Sequence, residues 1–259
     1  MCPPTHRISY LRSTRRAYAR PVDWNEYDAA LFDLDGVITP TAEVHMRAWD
    51  QMFNDFLTAR GVEQPYTDAD YFTYVDGKPR YDGVRSFLAS RDITLPEGDA
   101  SDPATAETVA GLGNRKNADF EQILQREGVA PYRGSVALVK SLVERGTKMA
   151  IVSSSRNAAA VLEAAGMLQY FPVIVSGKEA GERGLAGKPA PDTFLDAAAQ
   201  LGVPKERAVV FEDALSGVAA GAAGEFGLVI GVDRGVGEAA LTEHGADVVV
   251  DDLQELVEA

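Results

Sequence analysis

The sequence predicts an α/β protein: a doubly wound parallel (Rossmann-like) sheet forms the core, and an all-helical cap domain is inserted into it. Short apolar runs alternate with helical patterns over most of the chain, as in parallel sheets covered by helices on both faces. One long stretch, 42–131, has helical periodicity and almost no strand pattern. At 259 residues, of which 46% are hydrophobic, the chain is long enough for both units.

Six apolar runs rich in valine and isoleucine are the predicted strands. They span 29–32, 149–152, 173–175, 208–211, 228–232 and 248–250. Because these runs are apolar throughout, we expect the sheet to be buried on both faces. The helices predicted between them span 135–145, 156–165, 192–201, 214–224 and 238–244. A glycine-rich loop is expected between the third strand and residue 187.

The inserted stretch carries apolar stripes at helical spacing. They comprise Trp49, Met52, Phe53, Phe56 and Leu57, then Val84, Phe87 and Leu88, and then Phe120, Ile123 and Leu124. We therefore divide the chain into an arginine-rich N-terminal extension (1–26), expected to be poorly ordered, an α/β core (27–41 and 132–259) and a helical cap (42–131). Two chain crossings join cap and core, which suits a lid that closes over a site and excludes water.

The composition excludes several classes of protein. The net charge of −14 argues against general nucleic-acid binding, which needs a basic surface. The single cysteine, Cys2, excludes a disulfide framework and a thiolate metal site. No apolar run approaches the ~20 residues that span a bilayer, and no secretory signal is present, so we expect a cytoplasmic protein with no membrane partner. The first 22 residues contain five arginines and no acid, a pattern that fits a transit peptide, a polar extension or a start assigned too far upstream.

Two aspartates separated by one residue, Asp33 and Asp35, follow the first predicted strand and precede Gly36. The carboxyl ends of parallel strands are where open α/β sheets bind ligands. An ionised aspartate is a nucleophile toward phosphorus, and a second carboxyl two residues on can act as general acid and base. Turns and calcium-binding loops share this motif, so it does not decide the function alone.

Two polar clusters follow the second and third strands. The first is the segment of Ser153, Ser154, Ser155, Arg156 and Asn157. Hydroxyls and free N–H groups at the start of a helix bind anions, although helix capping is the commoner role of serine there. The second is Lys188, which is placed to neutralise charge as phosphorus becomes five-coordinate, although a loop lysine is more often solvated.

The third cluster, Glu212 and Asp213, follows the fourth strand. Adjacent carboxylates repel each other unless a cation lies between them, and hard oxygen ligands of this kind suit Mg²⁺. The alternative for Asp213 is helix capping, which does not require Glu212.

Together with the aspartate pair, and in the order in which they occur along the chain, these clusters resemble the four motifs of the haloacid dehalogenase superfamily of phosphoryl-transfer enzymes. The matching residues are the Asp33 and Asp35 pair, Ser153, Lys188, and Glu212 with Asp213. The resemblance runs from about Asp28 to the C-terminus. It implies a Mg²⁺-dependent enzyme in which Asp33, Asp35 and Lys188 are catalytic. The implied metal ligands are Asp33, Asp35, Glu212 and Asp213.

Three further segments, 39–49 (TPTAEVHMRAW), 75–80 (VDGKPR) and 114–117 (NRKN), look like the substrate-contacting segments of β-phosphoglucomutases. This resemblance implies that Asp33 is the nucleophile and Asp35 the acid/base. The implied substrate-binding residues are Thr41, His45, Trp49, Gly77, Lys78, Arg80 and Lys116. The implied phosphate-binding residues are Ser153, Ser154, Ser155, Asn157 and Lys188. Trp49 is equally well explained as a residue of the cap's apolar core.

Two positions depart from that family's pattern. Pro40 replaces an aspartate common in the first motif, and Asp76 stands where β-phosphoglucomutases usually have a phosphate-binding lysine. Lys78 is the nearest replacement, but its side chain leaves the backbone at a different angle. Mutase activity is therefore implied less firmly than phosphoryl transfer.

The favoured interpretation is a β-phosphoglucomutase, which converts β-glucose 1-phosphate to glucose 6-phosphate through β-glucose 1,6-bisphosphate, with Mg²⁺ as cofactor and the bisphosphate as activator. A sugar-phosphate phosphatase is the main alternative, in which water takes the phosphoryl group. A hydrolytic dehalogenase needs neither Asp35 nor the Glu212 and Asp213 pair, so the presence of these residues argues against that activity. A non-catalytic sugar-phosphate sensor has no use for the nucleophile. We expect a monomer that binds a small sugar phosphate.

Overall fold

The computed structural model describes residues 22–257. Its strands are β1 (Ala29–Phe32), β2 (Lys148–Val152), β3 (Val173–Val175), β4 (Ala208–Glu212), β5 (Leu228–Val232) and β6 (Val248–Val250). They form one sheet in the order β3-β2-β1-β4-β5-β6, and each neighbouring pair is parallel. All the predicted strands are present, and the predicted fold class is confirmed.

Helices lie on both faces of the sheet and in the inserted segment. They are α1 (Thr41–Ala59), α2 (Asp68–Asp70), α3 (Arg80–Ser90), α4 (Val109–Glu127), α5 (Arg133–Arg145), α6 (Ala158–Ala164), α7 (Gly177–Arg183), α8 (Asp192–Leu201), α9 (Leu215–Ala223) and α10 (Glu238–Glu243). A π-helix, Tyr71–Val75, follows α2, and short 3-10 helices span Trp24–Glu26, Leu168–Tyr170, Lys205–Arg207 and Leu253–Leu256. None of the helices in residues 22–257 is long and apolar enough to cross a membrane.

Helix α7 lies where the sequence predicted a glycine-rich loop, so that prediction was wrong. A capping box starts the helix: the Ser176 hydroxyl accepts from the backbone, and the Glu179 carboxylate accepts in return from the backbone N–H of Ser176. Gly184 ends it in the left-handed conformation. Glycines at the two ends of a short helix made the segment look like a loop.

Alternate residues of each strand pack on opposite faces of the sheet. In β1, Ala30 and Phe32 belong to an apolar cluster that includes α5 and α6, whereas Ala29 and Leu31 belong to a second cluster that includes α8. The ring of Phe32 is fully buried and stacks on Phe211, with the ring centroids 4.4 Å apart. Burial on both faces explains why these strands are apolar throughout.

The α/β core begins earlier than the predicted boundary at residue 27. Val22 and Trp24 are buried in the core, and the indole of Trp24 stacks on Phe211 at 6.3 Å. The indole Nε1 also donates to the carbonyl of Leu256 at 3.3 Å, which joins the two ends of the described chain. The remainder of the predicted arginine-rich extension, including Cys2, lies outside the described residues.

Helices α1 to α4 and the π-helix form the cap, which has its own apolar cluster around Phe53 and Phe87. Val44 and Ala48 near the start of α1 are not part of that cluster, because they pack in the same cluster as Phe32 of the sheet. Helix α1 therefore belongs to the core at its start and to the cap further on. It begins at Thr41, one residue before the predicted boundary.

Phe32→Ala is expected to lower the free energy of unfolding by about 3–5 kcal/mol, because it leaves a cavity against Phe211. Urea denaturation measures the change. The matched control is Phe72→Ala, whose side chain is 61% exposed, and which should change the free energy by less than about 0.5 kcal/mol. Equal losses in both variants would contradict this account of the core.

Candidate active site

The carboxyl ends of three neighbouring strands bring the sequence motifs together. β1 lies between β2 and β4. Asp33, which follows β1, is therefore flanked by Ser153 after β2 and by Glu212 and Asp213 at the end of β4. The backbone N–H of Asp33 donates to the carbonyl of Phe211 at 2.9 Å and extends the strand pairing by one residue. The sheet itself thus positions these side chains.

Lys188 is the buried cation of the site, with a side chain only 4% exposed. Its Nζ lies 2.5 Å from Oδ1 of Asp33 and 2.5 Å from Oε1 of Glu212, and donates to the carbonyl of Val152 at 3.0 Å. Burial would lower the pKa of Lys188, but the charges of Asp33 and Glu212 raise it above its ordinary value. Lys188 is therefore a charged, fixed group rather than a solvated loop lysine.

Asp33, Glu212 and Asp213 form a carboxylate cluster, in which one oxygen of each lies within 4.8 Å of the others. Burial raises the pKa of Asp213 well above its ordinary value, and the charges of Asp33 and Glu212 raise it further. Lys188 supplies a single positive charge against these three acids. The cluster therefore fits a divalent cation that prefers oxygen ligands, such as Mg²⁺.

Gly36 and Arg234 shape the loop beside this cluster. Gly36 has a φ of +85°, and a Cβ there would lie 1.8 Å from Oδ2 of Asp213, so only glycine fits. Arg234 donates from Nε to the carbonyl of Gly36 at 2.7 Å, and its guanidinium stacks 3.9 Å from the ring centroid of Tyr132. Nothing in the sequence pattern had identified Arg234 as a support of the site.

Asp35 has different surroundings from the cluster. Its carboxylate accepts a hydrogen bond from the hydroxyl of Thr41 and lies 3.4 Å from Nε2 of His45 and 3.4 Å from Oγ of Ser153. Burial would raise the pKa of Asp35, but His45 and Thr41 lower it to about 2. The side chain of Asp35 was also predicted to bind the metal, yet it lies outside the carboxylate cluster and faces these acid/base partners instead.

Lys116 and His45 connect the cap to Asp35. The Nζ of Lys116 contacts Nδ1 of His45, whose ring stacks on Phe120 with centroids 4.1 Å apart. Burial and then the charge of Arg80 lower the pKa of Lys116 to about 7. Burial and then Lys116 lower the pKa of His45. A neutral His45 can accept from Lys116 at Nδ1 and direct its Nε2–H toward Asp35.

The cap is closed on the core. The hydroxyl of Ser154 donates to the carbonyl of Gly77 at 3.2 Å, and Nδ2 of Asn157 donates to Oδ1 of Asn117 at 2.7 Å. Gly77 also approaches the core so closely that a Cβ there would lie 2.2 Å from Oγ of Ser216. These contacts enclose a cavity between cap and core.

A tight turn at Asp76 and Gly77 gives the side chains of Asp76 and Lys78 different partners, although both residues line the cavity. The backbone N–H of Lys78 closes the turn, and Asp76 (φ −54°, ψ 133°) followed by Gly77 (φ +70°) matches a type II turn. Asp76 lines the cavity. The ammonium of Lys78 instead donates to the carbonyl of Tyr74 at 3.0 Å and to the hydroxyl of Ser86 at 2.9 Å. Lys78 therefore does not replace the missing lysine at position 76.

The π-helix aligns Tyr71 with Asp76. The backbone N–H of Asp76 donates to the carbonyl of Tyr71 at 2.9 Å, a five-residue step. Burial raises the pKa of Asp76, a hydrogen bond with the Tyr71 side chain opposes the shift, and the charge of Glu212 adds to it. The cap thus contributes an acid to the same side of the cavity as the carboxylate cluster.

Another part of the cavity wall carries positive charge. It includes Arg80 from the cap together with Arg156 and Asn157 from the core. Nη2 of Arg80 donates to Oδ1 of Asn117 at 2.6 Å. Burial lowers the pKa of Arg80, and the nearby charge of Arg156 lowers it further. The cavity therefore has an acidic part around Asp33 and a cationic part that suits an anion.

Most of the predicted site residues meet in this cavity. Its walls include Asp33, Asp35, His45, Trp49, Gly77, Lys78, Arg80, Lys116, Ser154, Ser155, Asn157, Lys188, Glu212 and Asp213. Thr41 and Ser153 contact Asp35 instead. Trp49 both lines the cavity and stacks on Phe53 at 5.2 Å, a position that is compatible with both of its predicted roles.

Tyr71, Asn117 and Arg156 belong to the site but were not predicted as site residues. Arg156 lies between Ser155 and Asn157, so its place in that segment was an available signal. Asn117 follows Lys116 in a segment that the sequence had singled out. Tyr71 gave no signal, because helical patterns are read at a period of 3.6 and a π-helix has a different period.

Comparison with known proteins agrees with this geometry. A family model described as haloacid dehalogenase-like hydrolase matches residues 27–224. A β-phosphoglucomutase of Mycobacterium tuberculosis (strain CDC 1551 / Oshkosh) is 50% identical over 239 residues, which cover 88% of this chain and 91% of that protein.

Solved structures have the same architecture. A mutant of CbbY from Rhodobacter sphaeroides, in complex with xylulose-(1,5)bisphosphate, is 26% identical with a TM-score of 0.69, and the match covers 89% of this chain and 96% of that one. A β-phosphoglucomutase from Clostridium difficile has a TM-score of 0.72 at 24% identity, covering 89% of this chain and 93% of that one. The latter likeness supports the fold alone.

Gly77→Ala is expected to hold the cap open, because the new Cβ would lie 2.2 Å from Oγ of Ser216. Small-angle X-ray scattering should then give a larger radius of gyration than for the wild-type protein. Gly61→Ala is the matched control, since Gly61 has a φ of +67° and no atom within 4 Å of the added Cβ. It should cost about 1–2 kcal/mol in backbone strain without opening the cap.

The double variant Gly77→Ala with Ser216→Ala separates the contact from the strain at position 77. Removing Oγ of Ser216 should restore much of the closed form. If the double variant stays as open as the single one, backbone strain rather than the contact is responsible.

Lys116→Met is expected to remove a rise in stability with pH. The pKa of Lys116 falls from 10.5 to about 7 on burial, so between these values the unfolded chain binds more protons and the free energy of unfolding increases with pH. The increase is on the order of a few kcal/mol. Urea denaturation at pH 7, 8.5 and 10 should show it in the wild type and not in the variant.

Lys78→Met is the control for losing a lysine from the cap, because Lys78 is exposed. If the stability of the wild-type and Lys116→Met proteins changes in parallel from pH 7 to pH 10, this result would contradict a lowered pKa of Lys116.

Proposed function

This chain belongs to the haloacid dehalogenase superfamily of enzymes, and from that premise we propose that it is a Mg²⁺-dependent β-phosphoglucomutase. The proposed reaction converts β-glucose 1-phosphate to glucose 6-phosphate through β-glucose 1,6-bisphosphate. The observation that carries the proposal is the closed cavity, with Asp33 and Asp35 in its acidic part and Arg80 and Arg156 in its cationic part. Such a cavity suits a sugar that carries two phosphates. The 50% identity to a β-phosphoglucomutase supports the same choice.

Asp33 is the proposed nucleophile. Its ion pair with Lys188 holds the carboxylate at the end of β1, and one carboxylate oxygen attacks phosphorus as the bond from phosphorus to the departing oxygen breaks. Lys188 offsets the charge that accumulates on the phosphoryl oxygens. When bound by Asp33, Glu212 and Asp213, Mg²⁺ supplies further positive charge for this purpose. The product is an aspartyl-phosphate.

Asp35 is the proposed acid/base. Its low pKa makes it a carboxylate at neutral pH, the form that removes a proton from the C6 hydroxyl as that oxygen attacks the phosphorus of the aspartyl-phosphate. The protonated Asp35 then returns the proton to the C1 oxygen when Asp33 takes the phosphoryl group from that position. Thr41 and His45 orient the carboxyl group through these steps.

The second phosphate of the bisphosphate is proposed to bind in the cationic part of the cavity. Arg80, Ser155, Arg156 and Asn157 all line it there. The sugar would turn over between the two half-reactions, so that each phosphate in turn lies beside Asp33. Closure of the cap limits the access of water, which would otherwise hydrolyse the aspartyl-phosphate.

A sugar-phosphate phosphatase is the second candidate. Asp76 favours it, because an acid in the cavity wall is less suited to a doubly phosphorylated sugar than a lysine is. The same machinery then passes the phosphoryl group to water. CbbY, whose structure contains a sugar bisphosphate, supports the general substrate class of both candidates.

Phosphorus NMR with Mg²⁺, β-glucose 1-phosphate and a trace of β-glucose 1,6-bisphosphate distinguishes the two candidates. A mutase should form glucose 6-phosphate well ahead of inorganic phosphate. Phosphate in excess throughout the reaction would contradict the mutase and favour the phosphatase.

Asp33→Asn should lower turnover by about 10³-fold or more, since it removes the nucleophile. Binding of β-glucose 1-phosphate, measured by calorimetry, should persist. Turnover that survives in this variant would contradict the aspartyl-phosphate route and leave a sugar-phosphate sensor or another mechanism.

A further inference from the structure

Among the described residues that line the cavity, Asp76 is the one acid contributed by the cap. It follows the π-helix and precedes the turn at Gly77, so backbone geometry rather than a flexible stem sets its position. The side chain is partly buried, and the charges of Glu212 and Asp35 in the core are close enough to raise its pKa. The proposed phosphoryl transfer assigns it no task.

The carboxylate of Asp76 has no positively charged partner within residues 22–257. The salt bridges of that part of the chain do not include it. Lys78, the nearest lysine in sequence, donates to Tyr74 and Ser86 instead. The side chain of Tyr71 and the backbone of Gly77 lower the pKa of Asp76 by hydrogen bonding, whereas the nearby Glu212 and Asp35 add only further negative charge.

A carboxylate can accept about four hydrogen bonds, and a partly buried one is costly when its acceptors are unmet. The side of Asp76 that faces the cavity therefore suits a group that donates a hydrogen bond without adding negative charge. A sugar hydroxyl is such a group. A second phosphate, in addition to the one that reacts at Asp33, is not, because it would add further negative charge beside several acids.

We propose that Asp76 is a specificity-determining residue that accepts a hydrogen bond from a ring hydroxyl of the sugar and keeps the second phosphate away from this side of the cavity. The inference rests on the proposed function only for its substrate class, a sugar phosphate. It explains how the cavity can bind one end of the substrate through Arg80 and Arg156 and hold the ring through an acid.

The test compares Asp33→Asn with Asp33→Asn/Asp76→Ala, because Asp33→Asn prevents turnover during the measurement. Calorimetry gives the dissociation constants of β-glucose 1-phosphate and of its 2-deoxy, 3-deoxy and 4-deoxy analogues. In the Asp33→Asn protein, one analogue should bind about 10–100-fold more weakly than the parent sugar. With Asp76→Ala added, that loss should shrink to about 3-fold or less, while the losses for the other analogues stay the same.

Asp76→Asn serves as the conservative variant, since its amide oxygen can still accept from a hydroxyl. It should retain most of the discrimination that Asp76→Ala loses. Asp68→Ala is the matched control for an acid of the cap, because Asp68 is exposed and does not line the cavity. It should leave every ratio unchanged.

Equal losses for all three analogues with and without Asp76 would overturn the proposal. The proposal would also be overturned if Asp76→Ala weakened the binding of Mg²⁺ and changed nothing else, because Asp76 would then act on the cation. Formation of glucose 6-phosphate by the wild-type protein tests the proposed function separately. If no member of the glucose series binds, glucose phosphate is not the ligand, and both the proposed β-phosphoglucomutase activity and the role of Asp76 in holding a glucose ring are overturned.

Discussion

The buried contact of Lys188 with Asp33 and Glu212 is the constraint on which the site depends. The two carboxylates end neighbouring parallel strands, and pairing of β1 with β4 forces them together whatever their charge. Without the ammonium they would repel each other in a setting with little water. Because Lys188 reaches them from the loop after α7 and rests on the ring of Phe194, it also ties that loop to the sheet. The contact of Lys188 with the two carboxylates therefore both orients the nucleophile and holds the sheet edge together.

Helix α1 transmits the position of the cap to the acid/base group. Thr41 at its first residue and His45 one turn later both contact Asp35, and Trp49 another turn later belongs to the cap cluster. Their spacing places all three on one face of a single helix. The proton chemistry proposed for Asp35 and the closure of the cap thus share one rigid element. Closure on the other side depends on the turn at Gly77, which contacts Ser154.

The sequence predicted the sheet well, because apolar strands buried on both faces leave a strong local pattern. The residues at the strand ends were also predictable, since parallel strands meet at one edge. Features that depend on long-range contacts or on an irregular backbone were not predictable. Trp24 is buried through contacts with residues distant in sequence, such as Leu256. The different directions of Asp76 and Lys78 depend on a turn type, and the contact of Tyr71 with Asp76 depends on a π-helix. No period of 2 or 3.6 residues contains that information.

The hydrogen bond between Trp24 and Leu256 has a consequence for how this domain can be combined with others. Near the two ends of the described chain, Trp24 and Leu256 are in direct contact. Trp24 also lies beside the residues that precede β2 and β4, at the amino ends of the strands and opposite the cavity. A second domain fused at either end, or a longer protein into which this unit is inserted, would extend from the face away from the cap. Attachment on that face would leave the cap unobstructed.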